Sequence, residues 1–237
     1  MQDLIAHLRA AHSVLALTGS GISAESGLPT FRGVNGLWRT HRVEELASPQ
    51  GFARDPRLVW TWYNERNAAH RRAQPNAGHY ALASLEEHYR DFTLATQNVD
   101  SLHLRAGSRN VLELHGALRT ARCTGCDARQ ALDSSGLDLE RIDHSCGGRL
   151  RPDIVWFGEA LPRSAWDRAS AAADRADVIL VVGTSAVVYP AAALAIRDDA
   201  FVAEINPEAT AISDRVDCVI RATAVASLPR ILDALSA

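Results

Sequence analysis

Residues 14–23, Val-Leu-Ala-Leu-Thr-Gly-Ser-Gly-Ile-Ser, run a short apolar strand straight into a Gly-x-Gly turn. No other stretch constrains the fold as much. Strand, tight turn and helix start, in that order, make a cradle for phosphate, because the helix N-terminus offers unpaired N–H groups and a partial positive charge. Gly19 can take the turn's backbone angles, and Gly21 lets a pyrophosphate approach the main chain. Ala24 completes Gly-x-Gly-x-x-Ala, whose small last residue lets the helix pack on the strand. The same glycines also suit a plain strand–helix turn that needs them for geometry alone.

An ordinary dinucleotide-binding unit places an acidic residue roughly 20 positions on, at the end of a second strand, to hold a ribose. This chain instead continues as a loop, Ala-Glu-Ser-Gly-Leu-Pro-Thr-Phe-Arg-Gly (24–33) and then Val-Asn-Gly-Leu-Trp (34–38). Glu44 and Glu45 fall in a helix-like stretch. A hydride-transferring dehydrogenase is therefore disfavoured. Such a loop can fold over a bound cofactor with Arg32 near its phosphates, although a solvated loop arginine looks the same in sequence.

Short apolar runs at 14–17, 92–95, 111–114, 178–182 and 201–205 read as buried parallel strands. Helical patterns at 76–89, 164–176 and 226–235 separate many of them. The alternation predicts an α/β fold, a doubly wound and mostly parallel Rossmann-like sheet with ligands beyond the carboxyl ends of its strands. Two segments break the rhythm. Residues 39–75, with Trp60, Trp62, Tyr63 and many arginines, read as a helical excursion. Residues 119–153, rich in Cys, Gly, Asp and Arg, read as a small inserted metal or loop module, zinc-ribbon-like in its metal form. One domain is expected, its core formed by 1–38, 76–118 and 154–237.

The 237 residues, 47% of them apolar, suffice for one large core. No run of about 18 apolar residues appears, so no membrane span is expected. A net charge of −3 implies no broad nucleic-acid footprint. The N-terminus resembles neither a secretory signal nor a transit peptide, so a cytoplasmic location is expected. In a non-secreted chain the close pair Cys123 and Cys126 suggests metal before disulfide.

Gly19-Ser-Gly-Ile-Ser-Ala-Glu-Ser-Gly-Leu-Pro-Thr-Phe-Arg32 resembles the signature of the sirtuins, the NAD-dependent protein lysine deacylases. Further matches follow in order across nearly the whole chain: Gln97-Asn-Val-Asp100, His115-Gly116, Cys123-x-x-Cys126, Val155-Trp-Phe-Gly-Glu159, Gly183-Thr-Ser185 and Asn206-Pro207. Ser20 stands where the family usually has alanine. The resemblance implies NAD consumed as a co-substrate, with nicotinamide, O-acyl-ADP-ribose and free lysine as products. It implies NAD contacts from Gly19, Ser20, Gly21, Ser23, Ala24, Thr30, Phe31, Arg32, Trp38, Gln97, Asn98, Asp100, Gly183, Thr184, Ser185, Asn206 and the backbone at Ala224. Asn98 and Asp100 would line the nicotinamide pocket, and Gln97 would face the ribose.

Each of these residues also has a plain reading. Gln97, Asn98 and Asp100 suit an Asx turn closing a strand. Gly183, Thr184 and Ser185 suit a capped strand–helix turn. His115, at a strand end before Gly116, suits general-base work or a structural hydrogen bond. The resemblance makes it the base that deprotonates a ribose hydroxyl. Residues 155–159 suit a buried strand and a turn; the resemblance implies that Val155, Phe157, Gly158 and Glu159, with Tyr189 in the 187–190 region, pair with a substrate peptide as added strands, which reads backbone more than sequence.

Tyr63 and Arg66 form an i, i+3 pair on one helix face. Converging in an apolar pocket, phenol and guanidinium would grip a carboxylate. Tyr-x-x-Arg resembles the branch that removes succinyl and malonyl groups, and Thr30 fits that branch, where others often carry Asp. The second zinc half-site should read Cys-x-x-Cys-Gly-Gly, but here it is Asp143-His-Ser-Cys146-Gly-Gly. Asp143 holds the third ligand position, and His144 beside it is chemically the better zinc ligand. Three thiolates with Asp143 or His144 could hold one structural zinc; the alternative is a vestigial site. Cys218, in a late strand, reads as a small core residue. The expected partners are acyl-lysine protein or peptide substrates, with no membrane and no specific nucleic acid, and the protein is expected to be a monomer. ADP-ribosyl transfer and a non-catalytic NAD sensor are the alternative functions.

Overall fold

The structure, a computed structural model, describes residues 1–30 and 43–236. Among them the strands are β1 (Ser13–Thr18), β2 (Asp91–Thr96), β3 (Val111–Glu113), β4 (Gly116–Cys123), β5 (Arg129–Ala131), β6 (Leu150–Ile154), β7 (Val178–Val182), β8 (Phe201–Ile205) and β9 (Cys218–Ile220). The helices are α1 (Gln2–Ala10), α2 (Val43–Leu46), α3 (Pro49–Arg54), α4 (Pro56–Arg72), α5 (Ala77–His88), α6 (Leu102–Arg105), α7 (Arg163–Arg175) and α8 (Ala224–Ser236). No described helix is long and apolar enough to cross a membrane.

Six strands form one parallel sheet in the order β3-β2-β1-β7-β8-β9. Side chains alternate between its faces, so both faces must be covered. Leu4 and Leu8 of α1, Leu82 and Leu85 of α5 and Leu228 and Ile231 of α8 pack on Val14, Leu94 and Leu180. On the other face, the Ala169, Ala172 and Ala173 stripe of α7 lies against Leu15, Ile179 and Val181. The strand order reverses between β1 and β7, which opens a crevice at their carboxyl ends.

The arginine-rich helices and the small antiparallel sheet β5-β4-β6 share one core. Trp60, Trp62 and Tyr63 of α4 pack with Ala121, Leu150, Ile154 and Trp156. The Trp60 indole donates to the Leu150 carbonyl at 2.7 Å, and Asn64 exchanges two hydrogen bonds with the backbone of Leu137. Asp55 caps α4 by accepting from the Leu58 N–H, and Pro56 occupies the first turn, where no N–H is needed. Residues 43–75 and 116–154 are thus two halves of one small body beside the crevice.

After Gly19 the chain forms a seven-residue 3-10 helix, Ser20–Ser26, where an α-helix start is expected from sequence. Gly27, left-handed at φ 82°, ends it by donating to the Ala24 carbonyl. Gly19 itself is extended, at φ −132° and ψ −175°, angles open to any residue. It must be glycine for another reason. A Cβ there would lie 2.7 Å from the Cβ of Thr184, and one on Gly21 would lie 2.7 Å from the Gly183 carbonyl oxygen. Gly183 does need its freedom, with φ at +59° and a virtual Cβ 2.4 Å from the Ile22 nitrogen. Two loops therefore interlock through their main chains.

Candidate functional site

A cleft of about 1500 Å³ runs from the crevice between β1 and β7 to the small body. Gly19, Ser20, Gly21, Ala24 and Thr30 line it from the β1 loop, and Gly183, Thr184 and Ser185 from the β7 loop. Asn206, after β8, and Ala224, opening α8, close its far end. Phe31, Arg32 and Trp38 lie outside the described residues. Thr184 ties the loops together: its hydroxyl accepts from Gln97 Nε2 at 2.9 Å, and its carbonyl accepts from Asn206 Nδ2 at 3.0 Å.

Ser23 and Asp100 sit behind the cleft wall in a directed chain of hydrogen bonds. The Asn76 backbone N–H donates to His79 Nδ1 at 3.3 Å, so His79 carries its proton on Nε2. Nε2 faces the Ser23 hydroxyl at 3.4 Å, and Ser23 donates to Asp100 Oδ2 at 2.7 Å. Asn98 Nδ2 donates to Ser23 Oγ and to the Gly19 carbonyl, at 3.2 and 3.1 Å. Burial holds the His79 pKa down to about 4, against some lift from Asp100. His79 is a member of this group that sequence reasoning missed. Its one sequence signal is the Asn-x-x-His cap at the start of α5, where Asn76 and His79 satisfy each other's backbones.

His115 reaches the cleft from the β3–β4 turn. Its Nδ1 lies 3.0 Å from the Gln97 carbonyl, which can only accept, so Nδ1 is the protonated nitrogen. Nε2 keeps its lone pair. Burial lowers the pKa, so the imidazole is neutral and basic near pH 7. Gly116 follows at φ +80°, where a Cβ would lie 2.0 Å from the Asp153 carbonyl oxygen. The turn that delivers His115 can form only with glycine after it.

On the small body, Tyr63 and Arg66 line the same cleft. Trp156 Nε1 donates to the Tyr63 oxygen at 3.0 Å, which leaves the phenol proton to be donated elsewhere. Burial pushes the Tyr63 pKa well up, so it stays protonated. The Arg66 guanidinium lies flat on Trp62, 3.4 Å from the ring centre. Its Nε is buried without an acceptor, and no carboxylate among the described residues is within ion-pair distance. Desolvation lowers its pKa to about 10, so it remains charged. His70, one turn on, also lines the cleft; nothing in its sequence context marks it.

Residues 155–159 continue beyond β6 as a turn. Val155, Phe157, Gly158 and Glu159 border the cleft, and Tyr189 lines it as well. Phe157 and Tyr189 are 59% and 66% exposed. Glu159 is held from below. Arg151 grips both its oxygens at 2.5 and 2.9 Å, and the Trp156 N–H donates to it at 2.8 Å. Burial opposes its charge, but these donors keep its pKa below the usual carboxylate range.

At the far end of the small sheet, Cys123, Cys126, His144 and Cys146 bring their ligand atoms within 4.8 Å of one another. Cys123 and Cys146 are 3.4 Å apart at sulfur, and His144 Nδ1 lies 3.7 Å from Cys126 and 3.2 Å from Cys146. Tetrahedral zinc with sulfur at about 2.3 Å spaces its ligand atoms by about 3.8 Å, so the four donors fit. Asp143, the first-named candidate from sequence, is not among them. It bridges to Arg149 through the backbone, pairs with that guanidinium at 3.4 Å and is 87% exposed. Alternation along the bridge turns the next residue, His144, to the thiols. The remaining cysteine, Cys218, lies on β9 far from them.

A family model described as Sir2 family matches residues 19–190. A Pyrobaculum aerophilum protein named NAD-dependent protein deacylase 2 is 50% identical over 98% of this chain and 93% of its own length. A Thermococcus kodakarensis protein named NAD-dependent protein deacylase is 48% identical over 95% of this chain and 91% of its own. The solved structure of a Sir2 homologue–NAD complex, 45% identical, superposes with a TM-score of 0.93, covering all of this chain and 94% of that one.

Proposed function

Because the chain belongs to the Sir2 family and is an NAD-dependent protein deacylase, we propose that its preferred substrates are lysines carrying succinyl or malonyl groups. Arg66 carries this reading. A charged guanidinium laid on Trp62, with a buried and partnerless Nε, lines the cleft beside a phenol free to donate. A carboxylate would satisfy both groups at once. An acetyl group would leave them unpaired, at a cost in desolvation.

NAD supplies the ADP-ribosyl group that takes up the acyl chain as nicotinamide leaves. In this reading the β1 and β7 loops hold its phosphates and riboses, and Asn206 and Ala224 its adenosine end. Asn98 and Asp100, oriented by Ser23 and His79, shape the nicotinamide pocket. His115 Nε2 takes a ribose hydroxyl proton, since Gln97 occupies Nδ1. The substrate backbone lies between residues 155–159 and 187–190 as an added strand.

The test is turnover on acetyl-, malonyl- and succinyl-lysine versions of one peptide. Wild type is expected to favour the two acidic groups. Arg66→Met should weaken desuccinylation by about 2–5 kcal/mol in transition-state binding while barely changing deacetylation. Equal losses on both would assign Arg66 to the fold and overturn the preference.

A further inference from the structure

A second concavity of about 280 Å³ adjoins the cleft and shares Ile154, Val155, Glu159 and Leu161 with it. Its walls carry Arg122, Arg129 and Asp153. The small sheet builds it in an unusual way. Arg129 of β5 pairs directly with Arg122 of β4, and Arg122 pairs directly with Arg151 of β6. Three arginines thus stand side by side across one sheet face, where like charges directly opposite destabilise the pairing.

Two carboxylates answer them, and the match is incomplete. Glu159 is fully engaged by Arg151. Asp153 is the carboxylate paired with the other two, accepting from Arg129 Nε at 2.9 Å and lying 3.6 Å from Arg122 Nε, while Glu159 feels Arg122 only through space. Among the described residues the terminal nitrogens of Arg122 and Arg129 have no acceptor. Their side chains are 30% and 58% exposed, so the surplus charge faces solvent at the concavity. One guanidinium's worth of positive charge, with its forked donors open, is left beside the segment that borders the acyl-lysine cleft.

We propose that Arg122 and Arg129 form a subsite for an acidic side chain of the substrate protein, close in sequence to the acylated lysine. The proposal rests on the reading that the substrate backbone lies along residues 155–159. In an added strand, successive side chains point to opposite sides. A peptide that sends its acyl-lysine into the cleft sends its neighbours the opposite way, and the arginine concavity, which includes Val155 and Glu159 in its walls, lies within reach of them. The acidic neighbour completes the charge balance that Asp153 leaves open. Its contribution lies in binding and in steering, so it appears in KM and weakens with salt.

The experiment measures kcat/KM on one acyl-lysine peptide with glutamate, glutamine or lysine walked along both sides of the acylated residue. At its best position, glutamate is expected to exceed lysine by about 3- to 10-fold in wild type, through KM, and to lose that margin at high salt. Arg129→Gln, at the more exposed of the two positions, should bring the ratio towards one. Arg122→Glu with Arg129→Glu should invert it in favour of lysine, which a merely structural role would not do. Turnover of the glutamine peptide checks the deacylase reading separately. A wild type indifferent to flanking charge at every position, or a ratio unchanged in Arg129→Gln, overturns the subsite.

Discussion

His115 carries its proton on the nitrogen that faces the Gln97 carbonyl, and burial keeps the ring from taking a second. As the proposed base it must be unprotonated, so activity should rise with pH through a pKa below the ordinary histidine value and then level. His115→Ala should lose roughly 100-fold or more in deacylation while still binding NAD. A pH–rate profile of kcat/KM with that acid limb, absent in the variant, is the check; unchanged turnover removes His115 from the chemistry. Residue identities at strand ends were legible because the motifs name them. What the sequence hid was orientation. Asp143 and His144 differ by one position, and only the backbone bridge to Arg149 decides which of them meets the thiols. His79 was hidden because Ser23, its partner, lies 56 residues away.

At the scale of elements, five of the six parallel strands and the helices at 77–88, 163–175 and 224–236 follow from apolar runs and helical spacing. The Ser20–Ser26 segment does not, because a Gly-x-Gly pattern reports close approach without saying what approaches. Here it is the Gly183 loop and not a helix dipole that explains both glycines. The small sheet's ligand hairpin makes its own prediction. Purified protein should hold about one zinc per chain. His144→Ala should weaken retention against a chelator, and Asp143→Ala should leave it nearly unchanged. Metal content after dialysis decides, and a loss confined to Asp143→Ala would return the fourth position to the carboxylate.

For the whole molecule, two buried and two half-buried histidines set the response to acid. His70, His79, His103 and His115 all have pKa values lowered by burial. The unfolded chain binds protons that the folded chain refuses, so stability is full above the ordinary value of 6.5 and falls as pH drops towards about 4, the His79 value. Thermal midpoints should decline through that window, and less steeply in His79→Gln; a midpoint independent of pH there would contradict the assignment. The shared core of the small body also governs the order of synthesis. Trp60 leaves the ribosome with its apolar face made, but the Leu150 carbonyl that its indole meets emerges 90 residues later. Strand β1 likewise waits for β7 to seal its second edge. The N-terminal half therefore spends translation with aromatic and strand-edge surfaces uncovered, the condition in which a nascent chain depends on shelter from its neighbours.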